Sequence, residues 1–166
     1  AATTDPAHIV AAQLQAAEGS LHIYGLVSGL VAKETEKKAS GLAGAEVLCG
    51  GVKALPRIVF KSLTNYRGDY ALCRDLVRCT VQVEDLRGVV AVLGLVLGAG
   101  DIVVVRIKNR LARAYNARPI GGYRDLQLLV LYRTAGGGWG WAEIQVNLAR
   151  FVELKGRPGG GHDTFN

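Results

Sequence analysis

The stretch Val77–Ile107, VRCTVQVEDLRGVVAVLGLVLGAGDIVVVRI, decides the fold. Its first seven residues alternate, with Val77, Cys79, Val81 and Val83 on one side, which is the period of a strand burying one face. Asp85 stands where a side chain can cap the next helix, which runs through Leu97, and Gly98–Gly100 end it. The β-branched run Ile102–Ile107 follows and suits a strand covered on both faces.

Downstream, residues 110–122 form a basic loop containing glycine and proline, and Leu126–Tyr132 reads as a third strand. A glycine turn over 136–140 leads to a fourth strand, Trp141–Val146, and a short helix over Leu148–Lys155. Upstream the pattern is helical. Asp5-Pro6 can open a helix over 7–18, Gly19-Ser20 start a second stretch to about Lys38, and Leu21, Tyr24, Val27, Leu30 and Val31 recur at helical spacing. The charged run Lys33–Lys38 reads as its solvated end, 40–44 as a turn and 52–66 as a helix that begins or kinks at Pro56. Helices followed by β-α-β-β-β-α predict an α+β domain: a mixed β-sheet of about four to five strands flanked by helices. The chain is thereby divided into an N-terminal helical segment over 1–51, a domain over 52–155 and a flexible tail over 156–166.

Composition narrows the function classes. With 166 residues, 49% of them hydrophobic, the chain can bury a sizeable core, and disorder is excluded for its bulk. Lys+Arg 20 against Asp+Glu 14 gives a net charge of +6. Arg106, Lys108, Arg110, Arg113, Arg118 and Arg124 fall in one segment without an acid among them. A one-sign cluster of this kind is either a solvated face or a surface for phosphates. Cys49, Cys73 and Cys79 are odd in number and lack CxxC spacing, so neither a disulfide framework nor a zinc site is indicated, and a reducing intracellular compartment is expected. The charge-free run Gly88–Gly100 is shorter than the ~20 residues that span a bilayer. Neither GxxxxGK[ST] nor GxGxxG occurs. His8, His22 and His162 are scattered, and Ser28 lacks a nucleophile elbow, so hydrolase chemistry is not expected.

Two carboxylates stand out. Asp75 immediately precedes the strand at Val77, and Glu143 shares a face of the fourth strand with Gln145 while Ile144 points to the other side. Carboxylates that face each other half-buried are costly unless a cation sits between them, and Mg²⁺ takes one or two carboxylates plus substrate phosphates. Spacing alone favours an exposed edge strand with solvated polar residues.

Taken in order, Arg57 and Lys61, Asp75-Leu76, Lys108-Asn109-Arg110, Gly122-Tyr123-Arg124 and Glu143-Ile144-Gln145 resemble the synthetase domain of the RelA/SpoT family, the (p)ppGpp alarmone synthetases. The resemblance covers roughly 52–155 and looks like a divergent branch, of which Tyr66-Arg67-Gly68-Asp69 and Asp125 after Gly-Tyr-Arg are signs. It implies a nucleotidyltransferase-like synthetase fold. It also implies a Mg²⁺-dependent transfer of the β,γ-pyrophosphate of ATP to the 3′-hydroxyl of GDP or GTP. Asp75 would hold the metal, and Glu143 would share it or accept the hydroxyl proton. Gln145 would orient Glu143 or a water. Arg57 and Lys61 would neutralise phosphate charge, Arg78 would bind nucleotide, Lys108, Arg110 and Arg124 would draw acceptor phosphates, and Tyr123 would stack on the acceptor base. Family members usually follow Gly-Tyr with a Ser and then a His, where this chain has Asp125 and Gln127. They place Arg after Glu-x-Gln-x, where Asn147 stands, and a Lys before the Gly-Tyr loop, for which Arg118 is the nearest substitute. These departures keep two alternatives in view: an adenine-nucleotide acceptor, and a degenerate synthetase domain serving as a structural or RNA-contacting subunit of a larger assembly.

Overall fold

The computed structural model describes residues 6–37, 41–69 and 72–155, and within them every side chain except those of 6–10, 51 and 153–155. The tail, His162 and Lys38 lie outside the described residues. The elements in chain order are α1 (Pro6–Thr35), β1 (Glu46–Val52), α2 (Leu55–Asn65), β2 (Val77–Val83), α3 (Leu86–Gly98), β3 (Ile102–Asn109), β4 (Leu126–Arg133), β5 (Trp139–Leu148) and α4 (Ala149–Lys155), with one turn of 3₁₀ helix at Arg118–Ile120. The strands form one mixed sheet in the order β1-β2-β5-β4-β3, in which only β2 and β5 are parallel. The expected α+β class and mixed sheet are what the chain adopts.

One face of the sheet is the core. Cys79 and Val81 of β2, Ile144 and Val146 of β5, and Leu128 and Val130 of β4 are fully buried there. Ile23 and Val27 of α1 and Val92 of α3 pack down on them. The alternation foreseen for Val77–Val83 holds at every position. Asp85 caps α3 as expected, its Oδ1 accepting from the amides of Arg87 (2.8 Å) and Gly88 (3.0 Å).

Four expectations are corrected. First, α1 does not break at Gly19-Ser20: it is a single helix of 30 residues. Ser20 Oγ bonds back to the Ala16 carbonyl at 2.9 Å, and a Cβ on Gly19 would lie 2.3 Å from the Tyr132 hydroxyl, so this glycine allows close packing rather than a turn. Leu21 projects away from the sheet, 68% exposed. Second, Glu46–Val52 is a strand that the sequence reading left out, and the boundary placed at residue 51 falls inside it. Gly50-Gly51 hid it. They interrupt the register between Cys49↔Cys79 and Val52↔Val77 as a β-bulge, and a Cβ on Gly50 would meet the Arg78 carbonyl oxygen at 2.7 Å. Third, the following helix starts at Leu55, with Pro56 in its first turn, and not at Val52. Fourth, β3 is an edge strand covered on one face only: Ile102 is buried and Val104 packs against the core, while Val103, Val105 and Ile107 are each 47% exposed.

Candidate active site

The face opposite the core presents polar side chains in rows set by strand register. Arg78, Glu143, Leu129 and Arg106 stand in line across β2, β5, β4 and β3. The next row is Thr80, Gln145, Gln127 and Lys108. Along β5 this face reads Glu143, Gln145, Asn147, because residues two apart in a strand share a side.

Asp75 reaches the first row from the turn before β2. Its Oδ2 accepts hydrogen bonds from Lys53, just past the bulge of β1, and from Lys61 of α2 at 2.6 Å. The three side chains are mostly withdrawn from water, at 14% (Lys53), 27% (Lys61) and 17% (Asp75) exposure. Burial alone would raise the Asp75 pKa, but the two lysine hydrogen bonds and charges outweigh it and hold the carboxyl below the ordinary aspartate value. For Lys61 burial works downward, and the Asp75 bond and charge reverse it, so its pKa is raised. Cys73 is buried beside this cluster, its thiol pushed up by burial and then by the Asp75 charge.

A cleft of about 250 Å³ joins the two acids: Asp75, Glu143, Lys61, Arg74, Arg106 and Tyr66 are in its wall. Gln145 Nε2 donates to Glu143 Oε1 at 2.6 Å and holds that carboxylate in place. Asp75 Oδ1 is buried and has no hydrogen-bond partner among the described residues. Among these residues no cluster of three or more His, Cys, Asp or Glu side chains could hold a metal alone. Two carboxylates with an unsatisfied oxygen do fit a hard cation that completes its shell with phosphate oxygens and water.

The remaining predicted residues gather two rows further along β5. Asp125 is fully buried, and Arg110 Nη1 reaches its Oδ1 at 3.3 Å. The Tyr123 hydroxyl donates to Asn147 Oδ1 at 2.9 Å. Burial, then the nearby Asp125 charge, pushes the Tyr123 pKa up, and burial raises that of Asp125 despite the Arg110 charge. Arg124 donates to the carbonyls of Arg110 (3.0 Å), Ala112 (2.8 Å) and Tyr115 (3.0 Å), so its guanidinium shapes the β3–β4 loop. Gly121 and Gly122, at φ 63° and 81°, supply the left-handed turn that brings the chain back to Tyr123. Arg57 is exposed on α2 and Lys108 is exposed on β3.

Sequence reasoning missed Lys53, Arg74 and Asp125 as site residues, and it placed Arg106 only in the general basic cluster. Reading residue 53 as helical removed it from the strand end that aims it at Asp75. Arg74 stacks over the Trp141 ring, 4.4 Å from its centroid, and also lines a larger cavity of about 610 Å³ between α1 and the β4–β5 hairpin.

Solved structures share this fold. The small alarmone synthetase 1 of Bacillus subtilis bound to its product pppGpp superposes with a TM-score of 0.66 at 19% identity, covering 89% of this chain and 75% of that one. A GTP pyrophosphokinase family protein of Streptococcus pneumoniae gives a TM-score of 0.64 at 20% identity, covering 82% and 67%. The chain has the alarmone synthetase fold. The Type VI effector Tas1, solved in complex with its immunity protein, is also similar, with a TM-score of 0.56 at 23% identity, covering 90% and 66%. No family model matches the chain, and comparison with curated proteins finds no match. No helix among the described residues is long and apolar enough to cross a membrane.

Proposed function

We propose that this alarmone-synthetase-like domain is a nucleotide pyrophosphokinase, moving the β,γ-pyrophosphate of ATP to the 3′-hydroxyl of a purine nucleotide, with GDP or GTP as first choice. The observation that carries the reading is the shared cleft, in which Asp75 from the turn before β2 and Glu143 of β5 meet Lys61, Arg74 and Arg106. Attack of the hydroxyl oxygen on the β-phosphorus forms the new P–O bond and breaks the bond to the bridging oxygen, so that AMP leaves. Glu143, fixed by Gln145, takes the hydroxyl proton. Lys53, Lys61 and Arg106 neutralise charge on the transferred phosphates, the step in which phosphoryl transfer draws nearly all its catalysis from positioning and electrostatics. Mg²⁺, which Asp75 and Glu143 would hold in this chain, would supply further charge compensation on the donor phosphates when bound. Tyr123, its hydroxyl anchored on Asn147, offers a ring to the acceptor base. Arg110 and Lys108 lie on the acceptor's side of the face.

Incubation with ATP, Mg²⁺ and a panel of GDP, GTP, ADP and AMP tests the reading, with AMP and a 3′-pyrophosphorylated nucleotide as products. Absence of AMP release with every acceptor, or product formation untouched by Glu143→Gln, overturns it.

One observation favours a second reading, a synthetase fold retained as an RNA-contacting subunit. Arg106, Lys108, Arg113 and Arg118 are exposed on β3 and its loop. RNA held on phosphate contacts dissociates as salt rises, and binding indifferent to salt excludes this use of the surface.

A further inference from the structure

Cys49 and Cys79 are direct cross-strand partners in the antiparallel pair β1–β2. Residues directly opposite in such a pair have Cα atoms ~4.5–5.5 Å apart, inside the ~4.4–6.8 Å window that a disulfide spans. Opposed residues also project to the same face, so the two thiols face one another beneath α1, where Cys49 Sγ lies 3.7 Å from the Ser20 carbonyl oxygen. Their environments differ. Cys49 sits on the edge strand and is exposed, and Cys79 is fully buried. Cys73, the third thiol, is buried near Asp75, away from this pair.

We propose that Cys49 and Cys79 form an oxidation site that closes to an intramolecular disulfide on exposure to hydroperoxides. The chemistry runs in two steps. The Cys49 thiolate attacks one oxygen of the peroxide, the O–O bond breaks, and the second oxygen leaves with a proton as water or alcohol. Cys49 sulfur is thereby oxidised by two electrons to a sulfenic acid. Cys79 sulfur then displaces that hydroxyl: the S–S bond forms, the S–O bond breaks, and water leaves carrying the Cys79 proton. Cys49 must act first. Burial pushes the Cys79 thiol up to about 12, with the neighbouring Cys49 a second cause, so Cys79 is neither reachable nor ionised at neutral pH. The closed ring contains the bulge at Gly50-Gly51, Lys53, α2 with Lys61, and Asp75. Oxidation therefore staples the root of the segment that carries the ion-pair cluster and fixes the edge strand on its neighbour.

The experiment treats the reduced full-length chain with hydrogen peroxide, quenches it, and counts thiols in denaturant beside intact-mass and peptide mapping. The expected result is a monomer lighter by two hydrogens, a Cys49–Cys79 linked peptide, Cys73 as the one remaining thiol, and full reversal by dithiothreitol. Slower amide exchange in β1 accompanies closure. Cys49→Ser, an exposed position that does not threaten folding, abolishes the linkage, and Cys73→Ser leaves it intact. A Cys49 sulfenate that is trapped by dimedone without proceeding to a crosslink overturns the proposal. So do a Cys49–Cys49 dimer between chains and three free thiols after treatment.

Discussion

Replacing Asp75 by Asn removes the one anion that holds Lys53 and Lys61 together. Deleting one partner of a fully buried pair costs ~3–5 kcal/mol, because the other charge is left stranded, and deleting one of an exposed pair costs ~0–1 kcal/mol. With 14% and 27% of the two lysine side chains in contact with water, the ammonium groups can partly rehydrate, which places the expected loss at about 2 kcal/mol. The pH dependence gives an independent signature. The Asp75 pKa is lowered by folding, so the unfolded chain binds its proton more readily. The contribution is complete above the ordinary aspartate pKa and disappears as pH falls through the folded value. Lys61 behaves oppositely: its pKa is raised, and its contribution is lost as pH climbs through that folded value. Urea titrations of wild type and Asp75→Asn at neutral pH and at steps below it measure the stability loss and the Asp75 signature, and steps above about pH 10 measure that of Lys61. The variant should show a lower midpoint at neutral pH, an unchanged m-value and a flatter acid limb. Equal midpoints with parallel acid limbs would refute the claim that Asp75 is the electrostatic centre of this cluster.

Glu143→Gln keeps the Gln145 contact within reach of an amide and leaves the core untouched, so pyrophosphate transfer should fall by at least two orders of magnitude with thermal unfolding unchanged; parallel activity and calorimetry measurements check this. Gly50→Ala drives a Cβ to 2.7 Å from the Arg78 carbonyl oxygen and 2.8 Å from its carbon, both backbone atoms that cannot swing aside. A destabilisation of ~1–3 kcal/mol in urea unfolding is expected, as for other overpacked positions. Tyr123→Phe deletes the donor to Asn147 Oδ1 and should lower stability by ~1 kcal/mol while raising KM for the acceptor, with KM for ATP constant. Steady-state kinetics with each substrate varied in turn separates the two.

Much of the sheet was legible because burial imposes period two on it. β2, β4 and β5 each read correctly from alternation or apolar runs, and Asp85 announced α3 through a local hydrogen bond that needs no tertiary partner. What failed depended on contacts remote in sequence. Gly19 looks like a breaker until Tyr132 is seen pressing against it, and β1 looks like a turn because its bulge is glycine on both positions. The covered look of Val103–Val105 reflects β propensity, which does not distinguish a central strand from an edge. At the site, the face shared by Glu143 and Gln145 was readable from spacing. The row that sets Arg106 and Arg78 on either side of that face was not, since strand order and register are properties of the assembled sheet.

The two ends of the polar face differ in how far their groups are already satisfied, and that difference bears on which substrate each can take. Around Asp75, two lysines share one carboxylate oxygen and the other oxygen has no partner among the described residues, so the cluster there holds two cations against one anion and one open acceptor. On the proposed function, a polyphosphate and its cation would complete that arrangement: phosphate oxygens would take up the surplus positive charge, and the cation the open carboxylate oxygen. Around Asp125 more of the side chains are already paired, although Asp125 Oδ2 and Arg110 Nε are buried without a hydrogen-bond partner among the described residues. Arg110 faces Asp125, Tyr123 is bonded to Asn147, and Arg124 is committed to three loop carbonyls. On the proposed function, an acceptor entering here would meet an aromatic ring whose hydroxyl is already anchored on Asn147. Stacking and shape would then weigh more than charge, and base preference would follow from what Asp125 and Asn147 leave around the Tyr123 ring. Substitutions at Asn147 or Gln127 are accordingly the ones that should move acceptor choice while donor binding stays fixed.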